Sequence, residues 1–288
     1  MSSKVWFITG ASRGMGRIWA EAALKRGDKV TATARNVEAI ADLKKRYGDA
    51  VFPLALDVTK PEQAEQVVTQ AFEHFGRLDV LVNNAGYSLI AMAEEATDEQ
   101  IYDLFNANYF GVVRILRAAL PLLRKQGSGH VIGVSSSLGI TPAPLIGYYS
   151  ATKAAFEALH ETMAKEIQSF GIKVTIIEPG AYATEFGKSA TRANGMEEYD
   201  ELRKQIMAGL MALQRGNPEA TPEAVFQVVD SAEPPLRLIL GSNSLPTIRA
   251  VYAERFGYLG SMGSSFQCGT GLNTTQGIPP TQEGALRA

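Results

Sequence analysis

Short apolar runs alternate with amphipathic stretches along most of the chain. Apolar, partly β-branched runs that predict strands include those at 4–9, 28–34, 51–56, 78–82 and 236–240. Helical periodicity predicts a helix after the first run and further helices near 37–47, 61–75, 98–124, 149–169, 221–231 and 246–258. Strands that alternate with helices indicate an α/β fold, a doubly wound parallel sheet with helices on both faces.

Length and composition favour one domain followed by a tail. The 288 residues, 45% of them hydrophobic, can form one substantial core, and we predict a single domain over 1–260. From Ser261 onward the residues are mostly Gly, Ser, Thr, Gln and Pro, with only Glu283 and Arg287 charged. Such a segment cannot bury enough apolar surface to fold alone, so 261–288 is predicted to be an arm or a loose tail.

Charge and cysteine content argue against several function classes. A formal charge of −2 without a long basic run gives no sign of a nucleic-acid partner or of an anionic membrane surface. The single cysteine, Cys268, excludes an internal disulfide framework, and three scattered histidines show no metal-ligand spacing, so no metal is expected. No stretch has the pattern of a signal peptide or the length of a membrane span. These features favour a cytoplasmic protein that acts on small molecules.

A glycine-rich turn follows the first predicted strand and leads into the first predicted helix. Its sequence, T-G-A-S-R-G-M-G, starts at Thr9 and contains Gly10, Gly14 and Gly16. Glycines let the backbone approach a ligand closely, and the amides at the start of the following helix favour a phosphate. The spacing is not G-x-G-x-x-G, and no G-K-[ST] follows that would indicate a P-loop. We predict a dinucleotide site, the alternative being a tight turn without a ligand.

The end of the second predicted strand bears on which dinucleotide is bound. Enzymes that use NAD carry an acidic residue there for the adenosine ribose, but Thr33 and Ala34 occupy this end and Arg35 follows. Arg35 and Arg13 of the glycine turn could place two guanidinium groups around a 2′-phosphate. This predicts NADP(H) over NAD(H), the alternative being that both arginines are solvated surface charges.

Polar residues follow two further strands. Asp57 ends the third strand, and N-N-A-G at 83–86 follows the fourth. Because parallel sheets bind ligands at the carboxyl ends of their strands, these residues are expected to line one site. Asn108 lies among apolar neighbours on the long predicted helix, where a buried Asn is usually only a satisfied polar group. Its importance depends on the residues that follow.

A hydroxyl, a phenol and an ammonium group come together in the stretch 134–153. Tyr149 and Lys153 are four residues apart, so on a helix they are neighbours on one face. Of the ten tyrosines, only Tyr149 has Lys at this spacing; Tyr148 has Thr152 there and is expected to pack or to line a pocket. A positive charge beside a phenol favours the phenolate, so Lys153 is expected to lower the pKa of Tyr149.

Together these motifs resemble those of the short-chain dehydrogenase/reductase family. The glycine turn, N-N-A-G, Y-x-x-x-K and P-G-A-Y-A-T from Pro179 occur in the family's order over residues 4–187, and a looser resemblance extends to 245. A finer similarity is to the 17β-hydroxysteroid-dehydrogenase-like and retinol-dehydrogenase-like members. The resemblance implies a Rossmann-like sheet of seven strands, NADP-dependent hydride transfer to or from a carbonyl or alcohol, and homodimers or homotetramers.

The resemblance also implies residue roles. The family's spacing of thirteen residues before Tyr149 selects Ser136 from three consecutive serines as the donor to the carbonyl oxygen, with Tyr149 as acid/base. Lys153 would bind the nicotinamide ribose, and Asn108 would support a water chain that relays protons to Lys153. Cofactor contacts are implied for Gly10, Ser12, Arg13, Gly14, Met15, Gly16, Arg35, Asp57, Val58, Asn84, Ala85, Gly86, Tyr149, Lys153, Pro179, Gly180 and Thr184.

The segment at about 185–220 corresponds to the lid that the family places over its substrate. A predicted helix there carries Met207 and Met211 on one face; flexible thioethers suit a pocket for varied apolar shapes, although methionines at this spacing are more often core. The other pocket candidates are apolar or aromatic: Leu89, Ile90, Leu138, Leu145, Tyr182 and Phe186. Such a pocket predicts hydrophobic ketones, aldehydes or secondary alcohols as substrates.

Two other function classes stay open. A sensor or scaffold could bind NADP without turnover, but it is expected to have lost part of the set Asn108, Ser136, Tyr149 and Lys153, which is present here. An isomerase or dehydratase could use the same site, but such relatives mostly have another glycine spacing and a larger C-terminal domain.

Overall fold

Seven parallel strands form the central sheet in the structure, a computed structural model that describes residues 3–241 and 244–263. In chain order the strands are β1 (Val5–Ile8), β2 (Lys29–Ala34), β3 (Val51–Ala55), β4 (Val80–Asn83), β5 (Leu89–Ile90), β6 (Gly129–Val134), β7 (Ile172–Pro179), β8 (Thr191–Arg192) and β9 (Arg237–Leu240). The sheet order is β3-β2-β1-β4-β6-β7-β9, and β5 pairs with β8 in a separate two-stranded sheet. The predicted doubly wound, Rossmann-like α/β fold is therefore confirmed.

The helices connect these strands and cover the sheet. They are α1 (Gly14–Lys25), α2 (Ala41–Tyr47), α3 (Pro61–Phe75), α4 (Asp98–Phe105), α5 (Gly111–Gln126), α6 (Ser137–Ile140), α7 (Gly147–Ile167), α8 (Asp200–Ala212), α9 (Thr221–Asp230) and α10 (Ser244–Gly263). The chain divides into a compact unit, Met1–Ile248, and a second unit that begins at Arg249. The domain boundary at 260 stays a prediction, and the predicted tail lies outside the described residues from 264 onward.

Both faces of the sheet are buried. Successive side chains of a strand point to opposite faces, and on β1 Trp6 and Ile8 join one core cluster whereas Phe7 joins a second. The first cluster contains residues of α1 and α9, and the second contains residues of α3, α5 and α7. A parallel sheet covered on both faces requires continuous apolar runs rather than strict alternation, which is the pattern of β1 and β4.

The strand order reverses between β1 and β4, and this reversal positions the site. In open parallel sheets a crevice forms at such a switch point, outside the carboxyl ends of the strands. The glycine turn follows β1, N-N-A-G includes the end of β4, and the serine run follows β6. The topology therefore brings the sequence motifs to one edge of the sheet.

The long helix predicted near 98–124 is divided in the structure. A π-helical turn, Asn106–Phe110, separates α4 from α5. Gly111 begins α5 against Val58, where a Cβ would lie 2.8 Å from Val58 Cγ2. A π turn inserts an extra residue into a helix, and such turns are frequent at functional sites.

The segment predicted as a lid has structure of its own. Between 185 and 220 it contains β8, α8 and short 3-10 turns, and α8 has no buried residue. β8 pairs in parallel with β5, which comes directly after N-N-A-G. The segment is therefore joined to the loop beside the predicted site.

Candidate active site

The glycine turn is shaped by the residues that it packs against. Gly10 and Gly14 have φ angles of +69° and +60°, in the left-handed region that favours glycine. A Cβ on Gly16 would lie 2.4 Å from Asn84 Nδ2 and 2.6 Å from the Gly10 carbonyl oxygen. The turn therefore requires glycine at these positions for its own conformation and packing.

The start of α1 fits a phosphate group. Its N-cap, Arg13, is extended and makes no side-chain capping bond, and the first turn has no acidic residue. The first amide groups of a helix lack partners within the helix and carry its positive dipole end. Ser12 is half-buried in the turn, and Met15 packs against the first core cluster. This arrangement fits the pyrophosphate of a dinucleotide.

The end of β2 carries no acidic side chain toward the crevice. Ala34 is buried and pairs with Ala55 of β3. Arg13 and Arg35 are both exposed, and neither forms a salt bridge within the part of the chain that the structure describes. Burial opposes ionisation of Asp57, but hydrogen bonds from Thr59 and the charge of Arg35 hold its pKa below the usual value. A carboxylate and two arginines thus lie at this end of the site.

N-N-A-G fastens the glycine turn to β4. Asn84 Nδ2 donates to the carbonyl oxygens of Thr9 and Gly10, at 2.8 and 3.1 Å. The amides of Asn84 and Ala85 both donate to Thr9 Oγ1, at 2.9 and 3.0 Å. A Cβ on Gly86 would lie 3.0 Å from Asn108 Oδ1. The motif therefore binds the glycine turn to the end of β4 through its backbone amides and the Asn84 side chain, and its Gly86 packs closely against Asn108.

Asn108 lies in the π-helical turn and is fully bonded. Its Oδ1 accepts from the Tyr87 amide at 3.1 Å, and its Nδ2 donates to the Tyr87 carbonyl and to Thr152 Oγ1, at 2.9 and 3.1 Å. Thr152 Oγ1 donates to the Tyr149 carbonyl at 2.7 Å. Asn108 therefore ties the loop after β4 to the helix turn that carries Tyr149 and Lys153.

The three consecutive serines make different contacts. Ser136 lies close enough to Tyr149 to affect the pKa of its phenol, and it caps α6 by accepting from the Leu138 amide at 3.2 Å. Ser135 is turned the other way and donates to Glu157 Oε1 at 2.5 Å. Ser137 is the first residue of α6. The geometry therefore places Ser136, the serine that the spacing selects, beside the phenol.

The phenol of Tyr149 is buried among apolar neighbours. Burial raises the pKa of this phenol above the ordinary value; the side chain of Ser136 lowers that pKa, and the charge of Glu157 raises it. Lys153 Nζ donates to the Val134 carbonyl at 2.7 Å and lies 5.7 Å from the centre of the Tyr149 ring. Desolvation of the phenol is the largest influence on its pKa, and a backbone carbonyl engages the ammonium group. That Lys153 lowers the phenol pKa stays a prediction.

Lys153 is itself perturbed by its surroundings. Burial lowers the pKa of its ammonium group to about 8, while the negative charge of Glu157 acts in the opposite direction. Glu157 follows Lys153 by four residues on α7, so the two side chains are on one face of the helix. Lys153 can therefore gain and lose a proton close to physiological pH.

Apolar side chains surround Tyr149. Leu89 and Leu138 belong to the same cluster as Tyr149, and the Phe186 ring centre lies 5.6 Å from that of Tyr149. Leu145 is buried just before α7, its carbonyl accepts from the Ala91 amide at 2.9 Å, and its φ of +67° is strained for a residue with a Cβ. These four predicted pocket residues therefore lie around the start of α7.

The remaining predicted residues are more dispersed. Ile90 lies on β5, and the Tyr182 ring packs on Gly216 and against the first core cluster, away from the cluster of Tyr149. Gly180 donates its amide to Leu240, and Thr184 Oγ1 accepts from the Phe186 amide at 3.4 Å. Pro179 ends β7, and Val58 packs against the second core cluster.

Several residues near the site are not distinguished by their sequence context. The Glu95 side chain is only 3% exposed, accepts from the amides of Met92 and Met196, and pairs with Arg203 of α8. Glu157 could have been found because it follows Lys153 by four residues on the predicted helix. Glu95 and Arg203 carry no comparable signal, since they are far apart in the chain.

The described residues contain no group of three or more acidic, histidine or cysteine side chains placed to hold a metal ion. Within the same ranges, each helix is too short or too polar to cross a lipid bilayer.

The family assignment rests on comparison with known proteins. Residues 4–195 match the family model described as short chain dehydrogenase. The chain is 40% identical over 248 residues to Oxidoreductase BOA17 of Botryotinia fuckeliana, which covers 84% of this chain and 90% of that protein. The chain belongs to the short-chain dehydrogenase/reductase family. It is an oxidoreductase of that family.

Two solved structures agree with this assignment. A short-chain dehydrogenase from Streptomyces avermitilis is 40% identical, with a TM-score of 0.86 over 92% of this chain and 97% of that one. An alcohol dehydrogenase from Thermococcus sibiricus, solved with 5-hydroxy-NADP, is 30% identical, with a TM-score of 0.71 over 84% of this chain and 98% of that one.

Proposed function

We propose that this protein is an NADP-dependent alcohol dehydrogenase or carbonyl reductase for hydrophobic ketones, aldehydes or secondary alcohols. The observation that carries the proposal is the buried phenol of Tyr149, which lies beside Ser136 and is surrounded by apolar side chains. It lies at the same sheet edge as a glycine turn and helix start that fit a dinucleotide. The protein would act as a homodimer or homotetramer in the cytoplasm, on a small-molecule substrate.

Each proposed catalytic group answers a requirement of carbonyl reduction. When bound, the nicotinamide exchanges hydride with the substrate carbon. Negative charge grows on the carbonyl oxygen as this happens, so a fixed donor and an acid are needed there. Ser136 would donate a hydrogen bond to the oxygen, and Tyr149 would give it a proton, since a phenol carries its proton at neutral pH.

Lys153 and Asn108 would restore the site after each turnover. Lys153 would bind the nicotinamide ribose and, with a pKa of about 8, return a proton to the phenol. Asn108 would support the water chain that supplies Lys153, while its side chain holds the loop of Tyr87 to α7. All four groups are present, which favours turnover over a cofactor-binding sensor.

Spectrophotometric assay tests the proposal. Consumption of NADPH and NADH at 340 nm is measured over a panel of carbonyl compounds, and formation is measured over the matching alcohols. Turnover with NADPH and at least one hydrophobic carbonyl supports the proposal. Binding of NADPH without turnover of any panel member would favour the sensor.

We expect substrates with large apolar groups to have the highest kcat/KM. The side chains near Tyr149 are mainly apolar, and burial favours binding by about 25 cal/mol per Å² of apolar surface. Aromatic or polycyclic ketones and aldehydes should therefore exceed small charged ones in steady-state assays. A clear preference for a 2-oxo acid or a sugar phosphate would contradict this expectation.

We expect NADP(H) to bind at least about tenfold more tightly than NAD(H). Arg35 directly follows Ala34, which has no carboxylate to repel a 2′-phosphate, and both Arg35 and Arg13 of the glycine turn are exposed. A hydrogen bond to a charged group contributes about 1.5–3 kcal/mol, equivalent to about 10- to 150-fold in affinity. Arg35→Ala should weaken NADPH binding and leave NADH nearly unchanged; adding Ala34→Asp should shift preference toward NADH by repulsion.

Calorimetric dissociation constants for both cofactors provide the measurement. Arg46→Ala is a matched control, because Arg46 is an exposed arginine paired with Glu21 on the outer side of α1 and α2. Equal affinities of the wild-type protein for NADPH and NADH would show that both arginines are merely solvated surface charges.

A further inference from the structure

An acidic cluster with two buried carboxylates lies beside the proposed catalytic residues. Glu157 and Glu161 of α7 and Glu178 of β7 all pair with Arg237 of β9. Glu157 and Glu178 are buried, and Glu178 Oε2 has no hydrogen-bond partner. Burying carboxylates is unfavourable unless they are paired and bonded, so the position of each of them calls for a physical reason.

Glu157 is the member that reaches the proposed site. Its Oε1 accepts from Ser135 Oγ at 2.5 Å, and its Oε2 lies 2.9 Å from Arg237 Nη1. Ser135 directly precedes Ser136, and Lys153 lies four residues before Glu157 on the same helix. The carboxylate therefore touches the chain next to one proposed catalytic residue and shares a helix face with another.

The surroundings fit this carboxylate closely. Gly139 of α6 faces Glu157, and a Cβ at that position would lie 2.3 Å from Glu157 Oε1. The Glu157 side chain is thus bonded to Ser135 and Arg237 and closely approached by Gly139. Only a residue without a side chain at 139 leaves the carboxylate its present position.

We propose that Glu157 is a positioning residue of the reaction, whose carboxylate fixes the Ser135–Ser136 segment and supplies the negative charge that Lys153 faces in the interior. This inference rests on the proposed function. Ser136 donates usefully only if its oxygen is held at the right place, and Lys153 returns a proton to Tyr149 only while it is an ammonium ion. Glu157 serves both requirements with its two oxygens and its charge.

The groups around Lys153 make the direction of the effect clear. On α7 it faces Tyr149, Glu157 and His160; burial lowers the pKa of His160 to about 4, so that ring is neutral. On β6 it meets the Val134 carbonyl, and Glu157 is the negative charge that raises its pKa. Behind Glu157 stand Arg237, Glu161 and Glu178; burial raises the pKa of Glu178 to about 7. Removing the charge of Glu157 therefore lowers the pKa of Lys153.

Glu157→Gln should shift the pH dependence of carbonyl reduction. In the wild-type protein kcat/KM falls as pH rises through the pKa of Lys153, because the ammonium ion is lost. A nearby opposite charge typically shifts a pKa by about 1–3 units. The fall in Glu157→Gln should therefore begin about one pH unit lower. A variant that is only less stable would lose activity without changing the pH at which kcat/KM begins to fall.

A second readout does not depend on turnover. In protein labelled with ¹³C at lysine Cε, the resonance of Lys153, assigned by its loss in Lys153→Met, reports the pKa directly. Glu157→Gln should lower that pKa by about one unit. If Tyr149→Phe were to retain turnover, the proposed function would fail while this titration still decided the role of the Glu157 charge.

Two further variants separate charge from position. Glu161→Gln removes another partner of Arg237, at 2.9 Å, that does not touch Ser135, so both titrations should stay in place. Ser135→Ala keeps the carboxylate but removes its bond to the serine segment, so kcat should fall by about tenfold or more without a shift in pH dependence. The proposal would be overturned if Glu157→Gln changed neither the pH dependence of kcat/KM nor the pKa of the Lys153 resonance. It would also be overturned if Glu161→Gln shifted both as much as Glu157→Gln does, or if Ser135→Ala left kcat unchanged.

Discussion

Replacing Tyr149 with phenylalanine is expected to lower kcat for carbonyl reduction by about 10²- to 10⁴-fold, the usual range for loss of a general acid. The substitution removes one oxygen and keeps the ring, which packs beside Phe186 and in the cluster of Leu89. The lost oxygen is the group that lies beside Ser136 and would give the proton. Folding should therefore be preserved while proton donation is not.

NADPH affinity should change little in the same variant. The proposed phosphate and ribose contacts come from the glycine turn, the end of β2 and Lys153, and the Lys153 bond to Val134 does not involve the phenol oxygen. Stopped-flow or steady-state rates give kcat, and fluorescence titration gives the dissociation constant. Loss of binding and turnover together would point to a structural defect instead.

Tyr148→Phe is the matched control for Tyr149→Phe. Tyr148 is adjacent in the chain, but its hydroxyl donates to the Ala93 carbonyl at 2.5 Å. It should retain most of the wild-type kcat. If Tyr149→Phe kept more than about a tenth of the wild-type rate, the assignment of the acid would be wrong.

The sequence was sufficient for the parts of the fold that depend on local pattern. The apolar runs of β1 and β4 predict strands because a sheet covered on both faces must be apolar throughout. The glycine turn identifies the start of α1, since its backbone angles and packing require glycine at 10, 14 and 16. Helical spacing places Tyr149 and Lys153 on one face, but their predicted roles depend on the whole set of motifs and on the family resemblance.

The parts that could not be predicted depend on contacts between distant residues. The π-helical turn at Asn108 goes together with bonds to Tyr87 and Thr152, which no local periodicity encodes. The pKa of Tyr149 depends on burial, and the ammonium of Lys153 is engaged by Val134; helical spacing shows neither of these.

Short elements and dispersed ion pairs were missed for related reasons. β5 and β8 have two residues each, too few to show a period. Glu157 pairs with Arg237, which lies 80 residues later in the chain. The dispersion of Tyr182 from the other pocket candidates likewise follows from packing on Gly216.

Gly16→Ala is expected to cause a large loss of cofactor binding. A Cβ at 16 would lie 2.4 Å from Asn84 Nδ2 and 2.6 Å from the Gly10 carbonyl oxygen, both far inside contact distance. Asn84 cannot move aside freely, because its Nδ2 donates to Thr9 and Gly10 at 2.8 and 3.1 Å. Either these bonds break or the start of α1 moves away from the crevice.

Both responses impair the site that fits the phosphates. Overpacking of this kind typically destabilises a protein by about 1–3 kcal/mol, and a displaced α1 loses the alignment of its first amides with the ligand. We expect the dissociation constant for NADPH to rise by at least about tenfold, equivalent to 1.4 kcal/mol, and the urea midpoint to fall. Calorimetry and urea unfolding, each compared with the wild-type protein, give the two quantities.

Gly257→Ala separates the local effect from the general effect of replacing glycine. Gly257 lies in α10, and a Cβ there would meet nothing within 4 Å. Alanine is favoured over glycine in a helix by about 1 kcal/mol, so this variant should be as stable as the wild-type protein or slightly more so, with NADPH binding unchanged. NADPH affinity at the wild-type level in Gly16→Ala would show that the cofactor does not depend on the packing between the glycine turn and Asn84.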